Sequence, residues 1–199
     1  MEQTARQLDA PALLGLDLEA LEDATWMLLE DGVTHSDTPF HTPVLATQNA
    51  LGPELRTVVL RGVDRANRAL RCHTDVRSPK IGQMRQGSAV SWLVYDPARK
   101  VQVRINGNAI LHHRDAVAEA SWRAASARSR VCYAAANGPG DPLADPLPER
   151  KAAADGFDRF VVVRCRVERL ETLVLAASGH RRARWCWHAG QRIATWVAP

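Results

Sequence analysis

Arg56, Arg61, Thr74, Ser78 and Lys80 lie within one short stretch and offer the donors that an anionic phosphate needs. The stretch reads R-T-V-V-L-R-G-V-D from Arg56, then L-R-C-H-T-D-V-R-S-P-K up to Lys80. Lysine is rare in this chain: Lys80, Lys100 and Lys151 are three of 26 basic residues, the rest being arginine. A lysine placed just after Ser78-Pro79, where a helix starts, therefore stands out. A helix N-terminus attracts anions because its first N–H groups are free and its dipole is positive there. Ser78 adds a hydroxyl, Lys80 a compact charge, and Arg56 a planar fork able to grip two oxygens. Together these residues point to a site for a phosphorylated cofactor.

The elements that position these groups are mostly strands. Val44–Thr47, Leu55–Gly62, Ala69–Thr74, Ala89–Tyr95 and Val101–His112 are rich in β-branched and aliphatic residues and are separated by polar turns. Residues 103–109 alternate apolar and polar side chains, as a half-buried strand does. Asp17 to Asp31 reads as a helix capped by Asp17 and ended by Gly32. Ser78 to Gln86 reads as a second, with Ser78 as cap and Pro79 in the first turn. Arg114 to Arg130 is a third helical region. Residues 1–15 read as a loosely held arm, and Asn137–Pro148, with four of the eleven prolines, as a loop and a candidate lid. Phe157 to Leu175 is a long β run, and Arg181–Trp187 with Arg192–Val197 form a closing hairpin. The order predicts one domain over 1–199, mainly β with flanking helices, built as a small barrel.

The totals narrow the function classes. The chain has 199 residues, a net charge of +4 and four widely spaced cysteines with no C-x-x-C pair. That spacing argues against a zinc ribbon or disulfide scaffold and fits reduced thiols in a cytoplasm. No N-terminal apolar run marks a signal peptide, and no run of about 18 apolar residues spans a membrane. The arginines are scattered apart from His180-Arg181-Arg182-Ala183-Arg184, and no aromatic-studded basic strand offers a stacking platform for nucleic acid. His112-His113 would point to opposite faces of a strand, so no metal site is expected. Cys186 and His188 share a strand face, but no acid is evident to orient a nucleophilic pair.

Four blocks carry a resemblance. Arg56-Thr57-Val58-Val59-Leu60-Arg61 is similar to an R-x-V-L-L-K strand, and His73-Thr74-Asp75-Val76-Arg77-Ser78-Pro79-Lys80 to a Y-T-N-x-x-S-x-K segment. Gln102-Val103-Arg104-Ile105-Asn106-Gly107 is similar to an R-Q-V-R-x-x-G strand, and His180-Arg181-Arg182 with the closing Trp196-Val197-Ala198-Pro199 to an H-x-R and L-x-P ending. In this order they resemble the pyridoxamine 5′-phosphate oxidase family of FMN-binding split β-barrels, in its pyridoxamine-phosphate-oxidase-related branch.

The resemblance implies a homodimer with FMN at the subunit interface and a small-molecule substrate. Arg56 and Lys80 would hold the FMN phosphate, with Thr74 and Ser78 beside them. Thr57, Val58, Val59, Leu60 and Arg61 would run past the flavin ring, with His73 nearby. Gln102 would reach the ring from the partner, and Arg182 would meet the N1/O2 edge, where negative charge collects on reduction. The substrate half departs from the family. Arg61 stands where the family has a substrate-phosphate lysine, and Ser178-Gly179-His180 lacks the arginine of an R-x-H pair. His73 replaces a tyrosine. Arg61, Arg128, Arg130 and His180 are the candidates left for the substrate. The expected function is an FMN-dependent oxidoreductase with an altered substrate site. The alternative is a non-catalytic or differently specific barrel holding flavin, deazaflavin or haem, for which His180 and His188 would be the axial candidates.

Overall fold

The computed structural model of the protein describes residue 5 and residues 8–143 and 156–199. Two helices open the fold: α1 (Ala10–Leu14) and α2 (Leu18–Thr34). Five strands follow: β1 (Val44–Asn49), β2 (Gly52–Thr57), β3 (Gly62–Asp64), β4 (Ala69–Asp75) and, after helix α3 (Pro79–Gln86), β5 (Ala89–Asp96). Then come β6 (Val101–His112), α4 (Ala116–Ala124), α5 (Ala127–Val131), β7 (Phe160–Val174), β8 (Arg181–His188) and β9 (Gln191–Val197).

The helix caps follow local chemistry. The Asp17 carboxylate accepts from the N–H groups of Glu19 and Ala20, and Asp9 caps α1 in the same way through Ala12. The reading of residues 1–15 as a loose arm is therefore corrected for residues 8–14. Leu8 and Leu13 are fully buried in the core, and their burial fixes a helix too short to be visible as a periodic pattern. Gly32 does not end α2, which runs on to Thr34. Its missing side chain instead lets the Phe40 backbone approach, since a Cβ there would lie 2.5 Å from the Phe40 carbonyl.

All strand pairs are antiparallel, in the order β2-β1-β5-β6-β7-β4-β3. The two ends of this path are consecutive in sequence. Residues 58–61 carry the chain from β2 to β3, so the segment expected as one strand, Leu55–Gly62, is two strands with a change of partner between them. On one side Val58 and Leu60 donate to the carbonyls of Pro43 and His41, while on the other Arg61 donates to that of Arg71. The sheet thus closes on itself as a barrel. Its interior holds Leu45, Leu70, Cys72, Trp92, Val103, Ile105, Val163 and Leu170, all at most 2% exposed.

β7 is the spine. Its first half pairs with β4 (Ala69↔Arg166 to Asp75↔Phe160) and its second half with β8 (Val174↔Arg181 to Arg169↔Cys186). β6 stays on its other edge throughout, with the register shifting between Asn106 and Gly107. Asn106 faces Arg169 while Gly107 faces Val167, so Glu168 is one residue extra and forms a bulge. The bulge flips the alternation, so that Val167 and Leu170 both face the core. It also marks where β8 and β9 split away from the barrel. A Cβ on Gly107 would lie 1.9 Å from the Arg166 carbonyl oxygen, a backbone atom that cannot step aside. Gly107→Ala is expected to destabilise the fold by about 1–3 kcal/mol, the usual cost of overpacking, read as a lower urea midpoint at unchanged slope.

The third helical region is broken. Ser126 caps a separate α5 by accepting from Ser129 N–H, so α4 and α5 meet at a corner. α4 lies on the outer face of β7, where Trp122 packs on Phe160 with ring centroids 5.1 Å apart. β7 is therefore buried on both faces in its first half, which accounts for the unbroken apolar run Phe160-Val161-Val162-Val163.

Candidate functional site

The site begins where β4 ends. The Asp75 carboxylate accepts from Arg77 through its backbone N–H, Nε and NH2, at 2.8, 3.0 and 2.7 Å. This closes the turn that delivers Ser78 to the start of α3. Ser78 makes no side-chain capping bond to its own helix. Instead its Oγ accepts from Lys80 Nζ at 2.5 Å, and Lys80 also donates to Thr74 Oγ1 at 3.1 Å. The ammonium is held between two buried hydroxyls at a helix N-terminus. Among the described residues no carboxylate pairs with it. Burial, and then the charge of Arg56, lower the Lys80 pKa, so two cations crowd one place.

Arg56 reaches the same end of the barrel from β2. Its NH1 donates to Thr47 Oγ1 at 2.5 Å, and its NH2 to Glu54 Oε2 at 3.1 Å. Gln83 of α3 joins this group, donating to Glu54 Oε2 at 2.9 Å and accepting from Thr47 Oγ1 at 2.5 Å. Thr47, Glu54 and Gln83 are absent from the sequence-based site. Glu54 carried a signal, being two residues before Arg56 and so on its strand face. Burial lowers the Arg56 pKa against the pull of Glu54, the one carboxylate in the group. Two cations, two hydroxyls and a helix N-terminus with one acid between them fit a phosphate monoester.

The segment expected to run past a flavin ring adjoins this cradle. The N–H groups of Val58 and Leu60 are spent on the carbonyls of Pro43 and His41. In an extended chain the N–H directions alternate, so the Val59 N–H points the other way. Thr57 is exposed, Val58 and Val59 half-buried, and Leu60 fully buried.

Gln102 and Arg182 lie elsewhere, on the outer face of the sheet, in one row through Leu173. No hydrogen bond or ion pair joins them to the cradle among the described residues. Arg182 donates through Nε to Glu171 Oε2 at 3.2 Å, and Arg184 through Nε to Glu171 Oε1 at 2.8 Å. Arg169 and Arg104 stand at 3.6 and 3.8 Å from the same carboxylate. The outer face also exposes Leu55, Tyr95 and Ile193, which the strand register places on the side of Gln102 and Arg182.

A cavity of about 630 Å3 opens between α4, the α4–α5 corner and β4, with Arg61, Arg71, His73, Ser121, Ser126 and Ser129 among its lining residues. Of the four substrate candidates only Arg61 lines it. Arg128 is exposed on α5. Arg130 turns back to the Arg123 carbonyl at 2.9 Å and stacks on Trp122, 5.3 Å from the ring centroid. His180 is exposed, and its Nδ1 accepts from the Ala176 N–H. His73 packs edge-on against Phe160. Of the loop Asn137–Pro148, residues 144–148 lie outside the described residues. Its first part is tied beside α3: Arg77 donates to the carbonyls of Ala135 and Ala136, and Gly138 N–H donates to Asp141. His112 pairs with Asp115, and His113 meets the Asp158 carbonyl. The described residues contain no cluster able to hold a metal ion, and no helix is long and apolar enough to cross a membrane.

Residues 23–113 match the family model for the pyridoxamine 5′-phosphate oxidase FMN-binding domain. Among solved structures the chain is similar to a pyridoxamine 5′-phosphate oxidase-related, FMN-binding protein from Nostoc punctiforme PCC 73102. The identity is 21%, the alignment covers 93% of this chain and 100% of that one, and the TM-score is 0.74. It is equally similar to PhzG from Burkholderia lata 383, solved in complex with tetrahydrophenazine-1-carboxylic acid, at 21% identity, 95% and 96% coverage and a TM-score of 0.74. A protein related to general stress protein 26 from Clostridium acetobutylicum follows at 11% identity, 92% and 97% coverage and a TM-score of 0.51. No curated protein matches. The structural likenesses establish the fold as a split barrel. The matched domain contains the cradle and ends before α4.

Proposed function

We propose that this chain, whose residues 23–113 match the pyridoxamine 5′-phosphate oxidase FMN-binding domain, is a member of that family and an FMN-dependent oxidoreductase acting on a small molecule. The observation that carries the reading is Lys80: a half-buried ammonium with no acid partner among the described residues, set between Thr74 and Ser78 at the start of α3. When bound, FMN supplies the redox chemistry by accepting a hydride equivalent. The protein's part is placement. Lys80, Thr74, Ser78 and Arg56 hold the phosphate. The Val59 N–H, which has no backbone partner among the described residues, meets the ring edge. The open cavity bounded by Arg61 and α4 admits the substrate.

Gln102 and Arg182 complete the site only if a second copy brings its outer face to the cradle. The apolar side chains of Leu55, Tyr95 and Ile193 on that face, 48–63% exposed, support such a homodimer. Loading the apo-protein with FMN tests the reading. The expected result is about one FMN per chain, quenched flavin fluorescence, a dimer by light scattering, and weaker retention of riboflavin, which lacks the phosphate. Equal affinity for FMN and riboflavin would remove the cradle from the account. A Soret band in the purified protein instead of flavin absorbance would favour the haem-binding alternative.

A further inference from the structure

β7 changes partner along one edge, and the change opens a wedge. From Phe160 to Arg166 that edge pairs with β4, and from Arg169 to Val174 with β8. Between them lies the bulge, where the Val167 N–H donates to the Arg68 carbonyl at 2.8 Å. β8 runs on past the parting to His188, paired there with β9. Two turns border the wedge. The β8–β9 turn holds Ala189 and Gly190 in the left-handed region, at φ 50° and 79°, as a two-residue hairpin turn requires. The β3–β4 turn is closed by Asp64, which accepts from the Asn67 N–H, and it ends on Arg68, also left-handed at φ 47°. The wedge is a cleft of about 140 Å3, with Arg68, Arg166, Glu168, Trp187 and His188 among its lining residues. Pockets for cofactor-sized molecules run from about 300 Å3 upward, so the occupant is small. The cleft lies at the opposite end of β4 from the cradle: Arg68 precedes the first residue of β4, and Thr74 stands next to its last.

The two arginines set the occupant's sign. The Arg68 guanidinium stacks over Trp187, 5.4 Å from the ring centroid. The stack and the pinned backbone hold it in place before a ligand arrives, which lowers the entropy cost of binding. Arg166 is exposed. Among the described residues no hydrogen-bond acceptor and no carboxylate engages either guanidinium. The one acid in the lining does not serve them, for Glu168 Oε1 accepts from Asn108 Nδ2 at 2.7 Å. Other strand arginines of this chain are matched: Arg164 with Asp64, Arg184 with Glu171 and Arg192 with Glu22. Two unmatched guanidiniums in one cleft cost repulsion and offer planar forks suited to an oxyanion. The hairpin side adds donors, since Ala189 and Gly190 also line the cleft and their N–H groups have no backbone acceptor among the described residues.

We propose that Arg68 and Arg166 bind a small dianionic oxyanion, a phosphate group, in this wedge, and that the bound group staples the closing β8–β9 hairpin to the barrel. The charge follows from the count of unmatched guanidiniums, and the size from the cleft. Arg68 and Arg166 belong to the barrel, while Trp187, His188 and the Ala189-Gly190 turn belong to the hairpin, so an occupant bridges the two. The same hairpin carries Arg182 and Arg184 on β8. The site does not depend on the flavin reading, for it shares no residue with the cradle or with the cavity beside α4. A ligand that binds only the folded wedge stabilises the protein by mass action and slows local opening of the hairpin.

The test is calorimetry of the FMN-loaded protein, its cradle filled, at about pH 8 and constant ionic strength, where a phosphate carries two charges. Sodium phosphate, glycerol 3-phosphate and sodium acetate are titrated in separate arms. The expected result is one phosphate per chain lost in Arg166→Gln, with affinity down about tenfold or more, the value of a charged hydrogen bond. Arg68→Lys, which keeps the charge but gives up the fork and the stack, should weaken binding too. Acetate, with one charge, should bind about tenfold less tightly than phosphate. Tighter binding of glycerol 3-phosphate than of phosphate would name a monoester as the ligand, and the reverse the free ion. Arg61→Gln and Lys80→Met should bind phosphate in the wedge as wild type does, and phosphate should slow hydrogen exchange at the β8–β9 turn of the wild type. The acetate comparison and the exchange are read without any variant, so a poorly folding variant leaves the test intact. Equal binding by wild type and Arg166→Gln would overturn the site, as would no binding of either phosphate, or exchange at the turn unmoved by phosphate. Acetate bound as tightly as phosphate would overturn the dianion. Lys80→Met without FMN should give the same titration, so a failure of the flavin reading leaves the wedge to be judged by itself.

Discussion

Lys80→Met lowers the affinity for FMN by about two orders of magnitude and leaves the affinity for riboflavin unchanged. The size follows from hydrogen bonds to charged groups, each about 1.5–3 kcal/mol, of which an ammonium seated between Thr74 and Ser78 makes at least one to a phosphate. The direction in the apo-protein is the opposite of what losing an ion pair would give. Among the described residues Lys80 has no acid partner, and burial and Arg56 already hold its pKa below the usual lysine value. Its charge therefore opposes folding when no phosphate is present. For a lysine lowered on folding, the folded state binds fewer protons, so stability rises with pH through the window between the folded value and about 10.4. Methionine fills the same space without the charge, so the apo-variant should melt no lower than wild type. FMN should raise the melting temperature of the wild type much more than that of the variant. Equal FMN affinity in the two proteins, or an equal loss for riboflavin, would show that Lys80 does not read the phosphate.

Much of this cradle was legible because its cues are local. Ser78-Pro79 announces a helix start, a rare lysine follows it, and Thr74 shares the β4 end by simple alternation. The rest depends on pairings between distant segments. Thr-Val-Val-Leu at 57–60 reads as uninterrupted strand, yet the chain changes partners there because the barrel closes through it. The sequence holds no mark of that closure. Arg71 and His73 are spaced for one face, but the cavity they line exists only because α4, some fifty residues on, lies over β7. α1 is hidden for another reason: five residues show no periodicity, and burial of Leu8 and Leu13 rather than propensity holds them. Arg128 and Arg130 fall in the helical segment that the resemblance assigns to the substrate, but the break before α5 turns them away from the cavity.

Glu171 was the least legible functional neighbour of all, an acid in the middle of a long β run, and it carries the second large expectation. Glu171→Ala should cost about 3 kcal/mol of stability at neutral pH. Its side chain is only 3% exposed, and Arg104, Arg169, Arg182 and Arg184, drawn from three strands, face its two oxygens. Removing one partner of a buried pair typically costs about 3–5 kcal/mol because the remaining charge is stranded. The low end applies because the arginines are 20–45% exposed and water recovers part of the loss. Burial works to raise the Glu171 pKa, but hydrogen bonds from Arg182 and Arg184 outweigh it and hold the value below the usual glutamate range. A carboxylate depressed on folding contributes its full stability above the unfolded value of about 4.3 and loses it as pH falls through the folded value beneath that. The gap between wild type and variant, read from urea midpoints, should therefore be widest near neutrality and narrow below about pH 4. Glu171→Gln, which keeps an acceptor without the charge, should fall between the two. The same carboxylate holds Arg182 in place, so the alanine variant should also lose FMN affinity if the partner's Arg182 reaches the flavin, and keep it if that arginine serves the sheet alone. A variant as stable as wild type at neutral pH would mean that the arginines need no counter-charge, and that solvent already satisfies them.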